Sequence, residues 1–163
     1  MLMEHSRAHP GDKGFSSLNK KKLSKDNLVF EAIGTLDELS ALLGLARVII
    51  KENFVDIVRI QKDLGKIMAE VVCFEGERLS TDDLEFLEHI TAECEKKAGR
   101  IDKFFIPGQN KKEAVINLTR VVCRRAERRL VALKHEQKVS PFILVYLNRL
   151  SLLLFYWVVI LSE

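Results

Sequence analysis

Four groups of residues have the types and spacing to do chemistry. The first is Gly11-Asp12-Lys13-Gly14-Phe15-Ser16-Ser17, followed by a lysine-rich run through Lys25. Glycines let the backbone turn its N–H groups toward an anion, hydroxyls add donors and lysines supply charge, a combination suited to a polyphosphate. It is not a Walker A loop, and a basic N-terminal tail with a turn has the same composition. The second group comprises Arg120 and Cys123-Arg124-Arg125-Ala126-Glu127-Arg128-Arg129. At 3.6 residues per turn, Arg120, Arg124 and Glu127 share a face beside a stripe holding Arg128, with Val122 and Leu130 turned away. Such guanidiniums could clamp phosphate oxygens in bidentate fashion, with Glu127 holding one in place; the alternative is a solvated face of internal ion pairs.

Glu31, Asp37 and Glu38 form the third group, set among apolar residues. Buried carboxylates need cationic partners, and the arginines of the second group are natural ones; otherwise these acids point to water. The fourth is Tyr146-Leu147-Asn148-Arg149-Leu150-Ser151, where Asn148 has the donors and acceptor for an adenine edge or a ribose, or for an internal helix tie. No group contains a Ser-His-Asp, Cys-His or two-carboxylate apparatus for proton transfer. A catalyst built from them works by binding and positioning.

The elements that must hold these groups are helices. The chain has 163 residues, 47% of them hydrophobic, which is material for one domain with one core and excludes disordered and low-complexity classes. Its three prolines, Pro10, Pro107 and Pro141, fall between helical stretches. Periodicity predicts helices from Asn27 to about Lys51, from about Asn53 to Phe74 with Gly76 ending it, from a cap at Ser80, Thr81 or Asp82 toward Gly99, from about Lys111 to Lys134, and from Pro141 to the C-terminus. The first carries two apolar stripes, so burial on most sides is expected, with Gly34 and Gly44 admitting a neighbouring helix. In the second, Phe54, Ile57, Val58, Leu64, Ile67, Met68 and Val71 supply the buried stripe. No β-alternation competes with this reading. The last helix is nearly long enough to span a bilayer, but Asn148 and Arg149 make a central bundle helix the better reading, with its polar residues facing inward.

Cys73, Cys94 and Cys123 are odd in number and lack knuckle spacing, and His5 and His9 have no third ligand beside them, so neither a disulfide framework nor a metal site is expected. No signal-length apolar run opens the chain, and a cytoplasmic location follows. The formal net charge of +3 is too small to argue for nucleic acid by itself. Its distribution is more telling: residues 11–25 and 120–129 each carry +4, leaving −5 on the rest of the chain.

Taken in order, the Gly11–Ser17 segment, Phe30-Glu31-Ala32-Ile33-Gly34-Thr35-Leu36-Asp37-Glu38-Leu39, Val121-Val122-Cys123-Arg124-Arg125-Ala126-Glu127-Arg128-Arg129 and Leu147-Asn148-Arg149-Leu150-Ser151 resemble the PduO-type ATP:cob(I)alamin adenosyltransferases over nearly the whole chain. The resemblance implies an all-α, ferritin-like five-helix bundle of residues 27–163 behind an ATP-binding loop of residues 1–26, assembled as a homotrimer with active sites between subunits. It implies transfer of the 5′-deoxyadenosyl group from ATP, with Mg²⁺, to cob(I)alamin, releasing triphosphate. By position, Gly11, Lys13, Phe15, Ser16 and Lys25 would hold ATP together with Arg124, Arg125, Glu127, Arg128 and Asn148. Asp37 would pair with Arg120 across the subunit boundary, and Phe104 would displace the lower axial ligand of the corrinoid. A corrinoid reductase and a cobalamin-dependent enzyme are the implied partners, with neither nucleic acid nor membrane. Two departures stand out. Arg7-Ala8-His9-Pro10 replaces a hydroxyl-bearing run before the loop, and Leu152 replaces an acid after Asn-Arg-Leu-Ser. A corrinoid carrier of the same fold, with catalysis impaired, is the alternative.

Overall fold

The computed structural model describes residues 9, 11–18, 21–51, 57–102, 106–137 and 139–162. Five helices follow a short hairpin: β1 (Phe15–Leu18), β2 (Lys21–Ser24), α1 (Leu28–Ile50), α2 (Ile57–Val71), α3 (Thr81–Ala98), α4 (Lys111–Leu133) and α5 (Pro141–Leu161). α1 packs on α4 and α2, while α5 packs on α4 and α3. The all-α bundle is as expected. The hairpin is not: β1 and β2 pair antiparallel with Phe15 opposite Ser24 and Leu18 opposite Lys21, where a loop was anticipated. Four residues per strand, interrupted by serines and lysines, are too few to give a period-two signal.

Local chemistry sets the helix starts. The side chains of Asn27, Ser80, Asn110 and Ser140 each accept a backbone N–H of the first turn, and Pro141 occupies the first turn of α5, where its missing donor costs nothing. Ser80 and Asp83 form a reciprocal capping box. α2 ends earlier than the pattern suggests. The N–H of Cys73 donates to Glu70 O and that of Phe74 to Ala69 O, with Cys73 at φ 54°, a Schellman ending on a cysteine rather than at Gly76. The expected start of α2 at Asn53, and Phe54 in its stripe, lie outside the described residues.

The apolar length of α5 is consumed inside the protein. Tyr146, Leu147, Leu150, Leu153, Leu154 and Trp157 are all fully buried, which makes α5 the core helix of the bundle despite a length and composition that would cross a membrane. Deleting one such leucine side chain costs about 2–5 kcal/mol. Of its polar residues only Ser151 is buried as expected, its hydroxyl donating to Asn148 O at 2.9 Å. Asn148 is exposed, and Arg149 Nε donates to Glu88 Oε1 of α3 at 3.1 Å on the half-exposed rim.

Beneath α5 lies a buried polar cluster. The hydroxyl of Tyr146 donates to Asp63 Oδ2 at 2.9 Å, and Lys66 Nζ bridges Asp63 at 3.3 Å and both carboxylate oxygens of Asp83 at 2.9 Å. These contacts tie α2 to α3 and α5 with directional bonds that apolar packing alone does not supply.

Candidate functional site

The first site element is the segment that enters the hairpin. Gly11 and Gly14 adopt φ 102° and 77°, a conformation that only glycine takes without strain, and Gly14 N–H donates to Gly11 O at 3.0 Å. His9 N–H donates to Asp12 Oδ2 at 2.7 Å, and Lys25 N–H to Gly14 O at 2.8 Å, closing the turn onto the end of β2. A Cβ at Gly11 would stand 3.1 Å from Lys25 Nζ, so the glycine leaves room for that ammonium against the backbone. A pocket of about 590 Å³ results, lined by Gly11, Lys13, Phe15, Ser16 and Lys25 as the sequence suggests, and also by His9, Asp12, Ser17 and Lys22. Lys22 Nζ sits 5.1 Å from the centre of the half-exposed Phe15 ring. Three ammonium groups and two hydroxyls around one pocket favour a ligand with several negative charges. The antiparallel pairing of β2 against β1 is what brings Lys22 back to Phe15, and no helical or strand-like pattern in this run announces it.

The second element is α4. Arg125 Nη2 forms an ion pair with Glu38 Oε2, and Arg129 Nη2 lies 3.4 Å from Glu31 Oε2, so two of the three α1 acids find the arginine partners anticipated for them. These pairs are half-exposed rather than buried, and with Gly34 and Thr35 they line a second pocket of about 350 Å³. A Cβ placed on Gly34 would meet nothing of another element within 4 Å, against the expected close helix approach, whereas one on Gly44 would stand 3.5 Å from Gln61 Nε2 of α2. Burial of α1 on most sides is likewise not seen: its Asp37, Ala41, Leu45 and Val48 face is open.

On the other side of α4, Asn148 Nδ2 donates to Glu127 Oε1 at 3.4 Å, bringing two of the expected site residues together. Glu127 therefore contacts an asparagine of α5, in place of the arginine anticipated for it. Arg124 and Arg128 are exposed on the same helix. Arg120 is half-buried, and its described hydrogen bonds both end on Asn117 Oδ1, at 3.1 Å from Nε and 2.9 Å from Nη2. Burial, and then the charge of Arg124, disfavour its protonated form and hold it below its ordinary value. Within one chain Asp37 stays exposed.

The resemblance brings the two basic clusters together between subunits, and within a single chain they stay apart. Among the described residues no α4 or α5 side chain lines the hairpin pocket, so the basic clusters of residues 11–25 and 120–129 do not meet there. Arg125 turns toward α1 while Glu127 turns toward α5, because two residues along a helix are about 200° apart. Phe104, Arg7, Ala8 and Pro10 lie outside the described residues; Leu152 is exposed on α5.

Comparison with known proteins gives one consistent picture. The sequence matches the cobalamin adenosyltransferase family over residues 7–161. It is 33% identical over 150 residues to the corrinoid adenosyltransferase of Bacillus subtilis, covering 86% of this chain and 78% of that protein. It is 35% identical over 159 residues to the corrinoid adenosyltransferase of Bos taurus, covering 89% of this chain and 66% of that protein. Its fold superposes with a TM-score of 0.84, at 22% identity, on a variant of the PduO-type ATP:corrinoid adenosyltransferase of Lactobacillus reuteri complexed with cobalamin and ATP, over 93% of this chain and 90% of that one. With the family matched across almost its full length and its five helices in the same arrangement, this chain belongs to the cobalamin adenosyltransferase family.

Proposed function

We propose that the protein transfers the 5′-deoxyadenosyl group of ATP to cob(I)alamin at sites shared between subunits of a cytoplasmic homotrimer. The observation that carries this reading is the hairpin pocket, where Lys13, Lys22, Lys25, Ser16 and Ser17 surround a glycine turn with the chemistry of a triphosphate cradle. Cobalt(I) supplies the electron pair that forms the Co–C5′ bond. The C5′–O bond breaks, triphosphate leaves with that bond's electrons, and the cobalt is formally oxidised by two electrons to Co(III). No side chain has to move a proton, which accords with four candidate groups that contain no acid-base pair.

The chain's own contribution is to bind, orient and neutralise. Gly11, Lys13, Phe15, Ser16 and Lys25 hold the nucleotide from one subunit, and Arg124, Arg125, Glu127, Arg128 and Asn148 complete the site from the neighbour. The separation of these two halves within one chain supports such sharing. Among the described residues no three His, Cys, Asp or Glu side chains gather, so the fit for Mg²⁺ is as a companion of the triphosphate, held by phosphate oxygens with Asp12 as the nearest carboxylate of the pocket. Asp37 of one subunit balances Arg120 of the next, and Phe104, by its position in the resemblance, would displace the lower axial ligand of the corrinoid. A reductase supplies the Co(I) state, and a cobalamin-dependent enzyme receives the product.

The test is direct. Protein incubated with ATP, Mg²⁺ and chemically reduced cob(I)alamin gives the light-sensitive adenosylcobalamin spectrum and stoichiometric triphosphate. Absence of both at high protein concentration overturns the catalytic reading.

A further inference from the structure

α4 begins with a carboxylate in an unusual place. Glu113 lies in the first turn of the helix and is fully buried. Its Oε2 accepts the backbone N–H groups of Gly108 at 2.7 Å and Gln109 at 3.0 Å, and its Oε1 accepts Asn117 Nδ2 at 3.0 Å. Asn117, itself buried, presents its other amide atom to Arg120, whose Nε and Nη2 both donate to Asn117 Oδ1. The polarity of this chain is fixed. A carboxylate only accepts and a guanidinium only donates, so the amide between them has one permitted orientation.

We propose that Glu113 and Asn117 are positioning residues that lock the loop at Ile106–Gln109 and the guanidinium of Arg120 into a single arrangement. The inference rests on the function proposed above, because its consequence for catalysis depends on Arg120 and on Phe104, which precedes this loop in the chain. Arg120 is carried on a flexible side chain at the edge of the bundle, beside the like charge of Arg124. A two-point contact from a buried amide restricts its rotamers, and the same amide is held by the carboxylate that caps the loop. Loop placement and guanidinium direction are thereby set together, through three side chains spaced by one helical turn or just under it.

The fixed polarity supplies the test. In Glu113→Gln the introduced amide oxygen still accepts the loop N–H groups, but its NH₂ faces the NH₂ of Asn117. Flipping Asn117 relieves that clash only by turning its NH₂ toward Arg120. In Asn117→Asp two carboxylates meet. The double variant Glu113→Gln/Asn117→Asp restores a donor opposite an acceptor at every step and returns the same net charge. Each single variant is expected to lower kcat/KM for cob(I)alamin about tenfold, with the double recovering to within about threefold of wild type. The NMR signal of Arg120 Nε–H and the exchange rates of the Gly108 and Gln109 amides follow the same pattern without any turnover. Singles that match wild type in both readouts, or a double no better than the combined singles, overturn the relay. If the wild-type protein fails the adenosylation assay, the NMR signal and exchange rates still decide the relay on their own.

Discussion

Tyr146, Asp63, Lys66 and Asp83 show how single residues set stability in a bundle that is otherwise apolar. Burial pushes the Asp83 carboxyl up, but Lys66 and the backbone and hydroxyl of Ser80 outweigh it and hold the group below its ordinary 3.8. A depressed carboxyl contributes stability above its unfolded value, and that contribution is lost as pH falls through the folded one. Asp63 has the opposite sign: burial raises it, so its ionisation opposes folding and its protonation on acidification relieves that cost. Urea unfolding followed from neutral pH into acid should therefore show Asp83→Asn less stable than wild type at pH 7, with the gap closing as pH falls. A gap of constant size would mean that Asp83 is not the group that titrates. On the functional side, Arg124→Ala is expected to abolish ATP use while leaving helicity and assembly unchanged, since its side chain is exposed and supports no packing. Wild-type kinetics with ATP in that variant would remove Arg124 from the site.

At the scale of the element, the starts of α1, α3, α4 and α5 were legible and the end of α2 was not. Ser80 and Pro141 mark the first turns of α3 and α5 because capping needs a specific side chain at a specific place. The α2 ending depends instead on Cys73 accepting a left-handed conformation, which sequence statistics assign to a nearby glycine. Replacing Cys73 with glycine removes that strain. The Cys73→Gly variant should be more stable by about 1 kcal/mol, seen as a raised urea midpoint at unchanged slope. Among the site elements, the glycine turn and its lysines were readable, whereas the return of Lys22 onto Phe15 depends on strand pairing across the hairpin. Glu113 and Asn117 escaped notice because each reads as an ordinary residue of α4, and only folding the preceding loop onto Glu113 gives them partners.

At the scale of the whole molecule, α1 and α4 run antiparallel, as their pairs Glu38–Arg125 and Glu31–Arg129 require. This places Leu45 and Val48 toward the end of α4 that carries Leu118 and Val121, and all four are exposed, Val48 at 64%. These residues form an apolar face beside the ion-paired groove and lie outside both apolar stripes of α1 read from the sequence; in the second of those stripes Leu39 and Ala46 are buried and Leu42 and Ile49 half-buried within a single chain. Under the proposed assembly, Leu45→Asp should shift the protein to monomers in sedimentation experiments and abolish adenosylation, while the far-ultraviolet spectrum of the fold is kept. A trimer with full activity in that variant would place the interface elsewhere.

By itself the sequence determined the helical bundle, the four groups of chemical residues, their order, and that none of the four holds an acid-base pair, because apolar period and residue type are local properties written directly in the chain. Only the tertiary structure decided which groups meet. It sent Arg125 to α1 and Glu127 to Asn148, kept the hairpin pocket apart from the α4 arginines, and joined a loop to Arg120 through Glu113 and Asn117. Such meetings depend on how helices rotate and pack against one another, and a rotation of one residue, about 100°, is enough to send a charge to a different neighbour.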